Sequence, residues 1–169
     1  MKKTIYLILT AFALNCNSQT INNLDEKYGY KDLKFGTPKS QLEDKIYGTT
    51  ANGNCLVIGD GYRKIRNVTV EQVYMKFTSD KLFVIILTIS GDTNVNNLLS
   101  IYIETYGKAT SSKKKQSSIS ATWEGKSVIL SYDMNVDEND IIQATVYICA
   151  KDLLHKNYQT EVQKNKDDL

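Results

Sequence analysis

Residues 81–90 read KLFVIILTIS. From Leu82 to Ile89 the run is apolar on both alternating faces, with valine and isoleucine well represented. It is bounded by Ser79-Asp80 on one side and Gly91-Asp92 on the other. Such a run, short, β-branched and closed by turn residues, predicts a strand. A strand with two apolar faces belongs at the centre of a sheet covered on both sides. It is too short to cross a bilayer.

Upstream, residues 66–78 (RNVTVEQVYMKFT) alternate twice with a change of phase. Val68 and Val70 share one face, and Val73, Met75 and Phe77 share another, so the slip at Glu71-Gln72 predicts a bulge or a strand break. Ser79-Asp80 then forms the tight turn into the central strand. Another strand is expected around Cys55–Ile58, with Gly59-Asp60-Gly61 as a hairpin turn after it. That glycine pair is no phosphate loop, because G-x-x-x-x-G-K and a following helix are both missing. In FGTPKSQLEDKIYG, Thr37 suits an N-cap, Pro38 the first helical position and Gly48 the stop, with Leu42 and Ile46 on one face. A helix of about ten residues is expected there.

Downstream, Val95, Leu98, Leu99, Tyr102 and Tyr106 keep helical spacing, predicting a helix over 94–106 capped by Asp92 or Thr93 and ended by Gly107. TSSKKKQSS reads as a polar, basic loop. SISATWEG alternates with Ile119, Ala121 and Trp123 on one face. SVILSY and IIQATVYIC complete the strands, and a short helix with Leu153 and Leu154 leads into a charged tail. The expected fold class is α+β: a mostly antiparallel sheet of about six strands carrying two helices. Tyr-Gly closes both helices, which suggests a tandem α-β-β-β repeat with halves 31–91 and 92–158.

The chain's 169 residues suit one domain. With 41% apolar and 24% charged residues it has globular composition, and a net charge of +2 gives no argument for nucleic acid. The start, MKKTIYLILTAFALNCNSQT, has the three parts of an export signal: Lys2 and Lys3, an apolar run of about ten residues, and a polar exit. Two cuts compete. One falls after Ser18. The other falls before Cys16 and would acylate it, although Ala13 and Asn15 depart from the usual lipoprotein pattern. The expected layout is a leader or lipoprotein signal over 1–18, a linker over 19–30, one domain over 31–158 and a charged tail over 159–169. Either cut places the protein outside the cytoplasm, free in the periplasm or anchored at the outer membrane. Outside the cytoplasm Cys55 and Cys149 have two open readings: buried free thiols, or one bridge worth up to about 4–5 kcal/mol.

The stretch GTPKSQLEDKIYG resembles the Gly-Met-Thr/Ser-helix-Gly opening of small exported lipoprotein domains, such as the small lipoprotein of the outer-membrane β-barrel assembly complex. The tandem element order resembles the β-lactamase inhibitory protein family, whose repeats have four strands where three are expected here. The resemblance implies a non-catalytic binding scaffold serving assembly or inhibition. No binding motif matches, so no partner carries over.

Candidate chemistry is sparse. The one histidine, His155, lies in the charged C-terminal segment, away from any Ser or Cys nucleophile. One His and scattered Cys lack zinc spacing. Asp133, Asn135 and Asp137 begin like a calcium loop, but Glu138 and Ala144 stand where Gly and Glu are needed. No pair of acids is singled out for glycoside hydrolysis. No catalytic, cofactor or metal residue is therefore expected. Lys113, Lys114 and Lys115 with Trp123 are the candidate partner surface, from a wider aromatic set of Tyr74, Phe77, Tyr132 and Tyr147. The expectation is an exported, non-enzymatic binding or envelope accessory protein whose partner is another envelope or secreted protein. The alternative is an inhibitor or immunity protein acting on a secreted hydrolase, with loop 111–118 as its tool.

Overall fold

A computed structural model describes residues 23–167. The leader, the start of the linker and Cys16 lie outside the described residues. Residues 23–27 are helical (α1), and strands Gly29–Tyr30 (β1) and Leu33–Lys34 (β2) follow. Ile46–Thr49 (β3) and Cys55–Val57 (β4) lead to a small hairpin, Lys64–Ile65 (β5) and Val68–Thr69 (β6). Gln72–Thr78 (β7) and Lys81–Ser90 (β8) precede the helix Asp92–Tyr106 (α2). Ser111–Lys115 (β9), Ser118–Glu124 (β10), Val128–Val136 (β11) and Ile142–Ala150 (β12) run into Lys151–Asp167 (α3).

The fold is α+β, built on an eight-stranded antiparallel sheet in the order β3-β4-β7-β8-β12-β11-β10-β9. β8 sits fourth, and Leu82 to Leu87 are all buried. Ser79 and Asp80 both take positive φ, 46° and 64°, which gives the two-residue hairpin turn whose twist matches its strands. The phase slip at Glu71-Gln72 is a strand break: Val68 and Val70 are buried in the small hairpin segment, Val73 and Met75 on the main sheet.

Cross-strand register assigns the faces, because paired residues share one side. Val73↔Leu87↔Val146↔Tyr132↔Ala121 and Met75↔Ile85↔Ile148↔Leu130↔Trp123 run across the inner face, and every one of these residues is buried. α2 packs here with Val95, Leu98, Ile101, Tyr102 and Tyr106. The Tyr132 hydroxyl donates to the Val95 carbonyl at 3.1 Å, and Tyr102 meets Trp123 edge-on with centroids 5.8 Å apart. Each fully buried side chain of this kind contributes roughly 1.5–3 kcal/mol, against at most about 1 kcal/mol for an exposed ion pair. The inner face therefore holds the fold, rather than Lys45–Asp32, Arg66–Glu104 and Lys151–Glu124.

The expected first helix does not form. Pro38 is extended (ψ 145°) and bridges to Lys81, while the Gly36 N–H and the Thr37 carbonyl bond to Leu82. The chain is thus committed to the start of β8. Only two 3₁₀ turns follow, Lys39–Gln41 and Glu43–Lys45, broken at Leu42 (φ −121°), whose side chain is buried. Ile46–Thr49 then becomes an edge strand. Tyr47-Gly48 therefore lies in a strand and Tyr106-Gly107 at a helix end, so the Tyr-Gly match marks no structural repeat. Each half nonetheless gives four strands to the sheet, joined at its centre by β8 and β12.

Five further expectations are corrected. Gly59-Asp60-Gly61 opens a 3₁₀ turn, Asp60–Arg63, rather than a hairpin. TSSKKKQSS supplies β9, an exposed edge strand. The linker over 19–30 is structured from residue 23, and the C-terminal segment stays helical to Asp167. α2 starts two residues early, at Asp92. Gly91 (φ 85°) occupies its N-cap and lets β8 turn straight into the helix, so neither Asp92 nor Thr93 caps it.

Candidate functional site

A cavity of about 430 Å³ opens on the inner side of the sheet, where α1, β1, the β5–β6 hairpin and α2 converge. Leu24, Ile101, Leu130 and Ile148 supply apolar walls. Tyr30, Tyr102 and Tyr106 supply rings, and Lys27, Lys31, Lys64 and Arg66 supply positive charge. No carboxylate, imidazole or thiol belongs to the described lining. A volume of 300–1,000 Å³ is ordinary for a small-molecule site.

The polar groups are partly committed. Lys27 Nζ donates to the Tyr106 hydroxyl at 3.2 Å. Lys31 Nζ donates to the carbonyls of Lys64 (2.7 Å) and Gly61. Arg66 pairs with Glu104 at 2.5 Å. The Tyr30 hydroxyl donates to the Tyr62 carbonyl at 2.6 Å, and burial pushes its phenol above the usual range. Burial also pushes Tyr102 well above that range, with Tyr106, Tyr30 and Tyr132 adding to the effect. The Tyr102 hydroxyl is buried, stays protonated and has no hydrogen-bond partner among the described residues. An orphaned buried donor costs about 1–3 kcal/mol. Chemically the site offers donors and positive charge to an acceptor.

Nearby, Lys45 Nζ and the Tyr62 hydroxyl both donate to Asp32 Oδ2. The hydrogen bond from Lys45 holds the Asp32 carboxyl below its usual range, and burial raises the Tyr62 phenol. This cluster clamps the β1–β2 turn to two 3₁₀ turns and does not line the cavity.

The outer face of the sheet has a different character. Tyr74, Ile129, Thr88, Thr145, Ser131 and Thr122 are half-buried, and Tyr147 is 39% exposed. Val84, Ile86 and Cys149 lie buried among them. Register puts Gln72, Lys76, Glu124 and Asp133 on the same face, so a broad, partly wet surface of mixed aromatic, hydroxyl and charged groups results.

The expected site residues scatter. Trp123 is wholly buried, donates Nε1–H to the Gly107 carbonyl at 2.8 Å and cannot anchor a partner. Tyr132 is core as well. Lys113, Lys114 and Lys115 are exposed along β9, where alternation points them to both sides of the sheet. Cys55 and Cys149 are free and buried. Register puts Cys55 on the inner face and Cys149 on the outer one, with β7 and β8 between their strands. Three strand spacings amount to about 14 Å, beyond any bridge, so the disulfide reading is set aside. His155 lies on α3, with Nε2 2.8 Å from Gln159 Nε2. Asp133 and Asn135 are strand residues of β11, and Asp137 caps its own turn by accepting from the Asn139 and Ile141 N–H groups. The cavity was missed because its residues come from separate segments. Tyr102 and Tyr106, two tyrosines on an otherwise aliphatic helix stripe, are the local sign.

No protein-family model matches the chain, and no curated protein or solved structure is found similar to it.

Proposed function

We propose that this chain is an exported, non-enzymatic binding or envelope accessory protein that docks another envelope or secreted protein on the outer face of its sheet. The observation that carries the reading is the contrast between the two faces. The inner face buries its central rows, Val73 to Ala121 and Met75 to Trp123, whereas the outer one leaves Tyr74, Ile129 and Tyr147 partly exposed along its centre. Exposed tyrosines on a rigid sheet give contact area at low entropic cost. Export rests on the leader, and Cys16 decides between a tethered and a free form. If a Cys16→Ser variant still partitions into detergent with membranes, the tether is wrong.

Each half contributes four strands, the number in the repeats of the β-lactamase inhibitory protein family that the sequence resembles. That supports a second reading, an inhibitor or immunity protein for a secreted hydrolase.

The test is affinity capture from native envelope with wild-type protein and with Tyr147→Arg, which leaves the core untouched. A protein held by wild type and lost from the variant supports the reading. Equal capture by both contradicts it.

A further inference from the structure

We propose that the cavity between α1, the β5–β6 hairpin and α2 binds a single-chain amphiphile with an anionic headgroup, a carboxylate or a phosphate monoester. The cavity opens on the inner side of the sheet, away from Tyr74 and Tyr147, so the inference stands apart from the docking surface.

Its apolar walls, Leu24, Ile101, Leu130 and Ile148, suit a hydrocarbon chain. Its charge is one-sided. Among the described residues Lys27, Lys31 and Lys64 form no ion pair, and only Arg66 has a carboxylate, that of Glu104. Two acids close in sequence are engaged elsewhere. Asp25 accepts from the backbone of Lys126, Ser127 and Val128, and Asp32 is paired with Lys45. Uncompensated ammonium groups around an apolar hollow favour a headgroup that is anionic and accepts hydrogen bonds. The second, independent sign is Tyr102. It lines the cavity, and its buried hydroxyl is a donor without an acceptor. Apart from Asn54 Oδ1, it is the buried side-chain polar atom left unsatisfied among the described residues. A bound headgroup that shifts the ring enough to uncover this hydroxyl would satisfy it, which recovers a cost the empty protein carries.

The experiment is calorimetric titration of the protein, as the cell processes it, with decanoate and with decyl phosphate. Decanol and decyltrimethylammonium serve as neutral and cationic controls. The expected result is saturable binding of the anions, with decanol at least about tenfold weaker and the cation not bound. The tighter of the two anions identifies the headgroup. Replacing Lys27→Gln together with Lys64→Gln should weaken anion binding by about tenfold or more. Tyr102→Phe should weaken it several-fold while leaving the melting temperature of the free protein equal or higher, because the orphan donor is gone. Tyr147→Arg, on the outer face, should change nothing. Decanol binding as tightly as decanoate, no saturable binding of either anion, or full affinity in the double lysine variant would each overturn the proposal.

Discussion

The carboxylate of Asp25 fills the space that a side chain on Gly125 would occupy: a Cβ there would stand 2.5 Å from Asp25 Oδ1. The same carboxylate accepts from the N–H groups of Lys126 (2.7 Å), Ser127 (2.8 Å) and Val128 (2.9 Å). One side chain from α1 thus caps the β10–β11 turn about a hundred residues further along the chain. The contact fixes α1, and with it Leu24 and Lys27, beside the cavity.

Removing that cap should cost stability. Asp25→Ala leaves the turn N–H groups to water and should lower the unfolding free energy by about 1.5–3 kcal/mol, read from urea midpoints. Gly125→Ala should destabilise by a similar amount because Cβ and carboxylate collide. In an Asp25→Ala background the Gly125→Ala penalty should shrink by at least about 1 kcal/mol, since the obstacle is gone. Strict additivity would show that the two residues do not share this space.

β9 makes a separate prediction. Lysine is a poor strand former, yet Lys113, Lys114 and Lys115 form an edge strand with every residue exposed. Charges on an unpaired edge discourage another sheet from adding to it. Replacing the three lysines with threonine should leave the melting temperature nearly unchanged or slightly higher. It should also produce dimers and larger species by light scattering. A variant that stays monomeric at high concentration would remove this role.

Alkaline pH should unfold the protein in a defined window. Burial pushes the Cys149 thiol up from 9.0 to about 11, with the Lys76 ammonium pulling weakly the other way. A folded value above the unfolded one means that stability is intact below pH 9 and falls as pH rises to about 11. Over that span the loss is roughly 2–3 kcal/mol. Burial raises the phenols of Tyr30, Tyr102 and Tyr132 too, which extends the loss beyond pH 10. Urea midpoints at successive pH values should fall for wild type and fall less for Cys149→Ala between pH 9 and 10. Identical slopes would contradict the burial of this thiol. Iodoacetamide at pH 8 should modify neither Cys55 nor Cys149 before unfolding.

Several of these features could be read from local sequence, and others could not. The central strand was legible because KLFVIILTIS is apolar in both phases, and α2 because five apolar residues keep its helical spacing. Neither depends on anything far along the chain. The first helix failed because Thr37-Pro38 has good capping chemistry but is claimed by β8, a partner some forty residues away. β9 was hidden for the same reason: β10 supplies its ladder, while its own residues argue for a loop. Trp123 looked like an anchor because alternation gives two faces without saying which is inside. Register through β11 and β12 decides that, and no single strand carries it. The cavity was the least legible feature, since Lys27, Lys64 and Tyr102 meet only after the sheet has closed.

The central claim, docking through the outer face, is tested most directly by site-specific photo-crosslinking in living cells. A photoreactive residue is placed at Tyr147 on the outer face, at Lys114 on the sheet edge, or at Ile103, an exposed position on α2. The account predicts one discrete adduct with another protein from position 147, and none from 114 or 103. Adducts from 114 or 103 with none from 147 would contradict it.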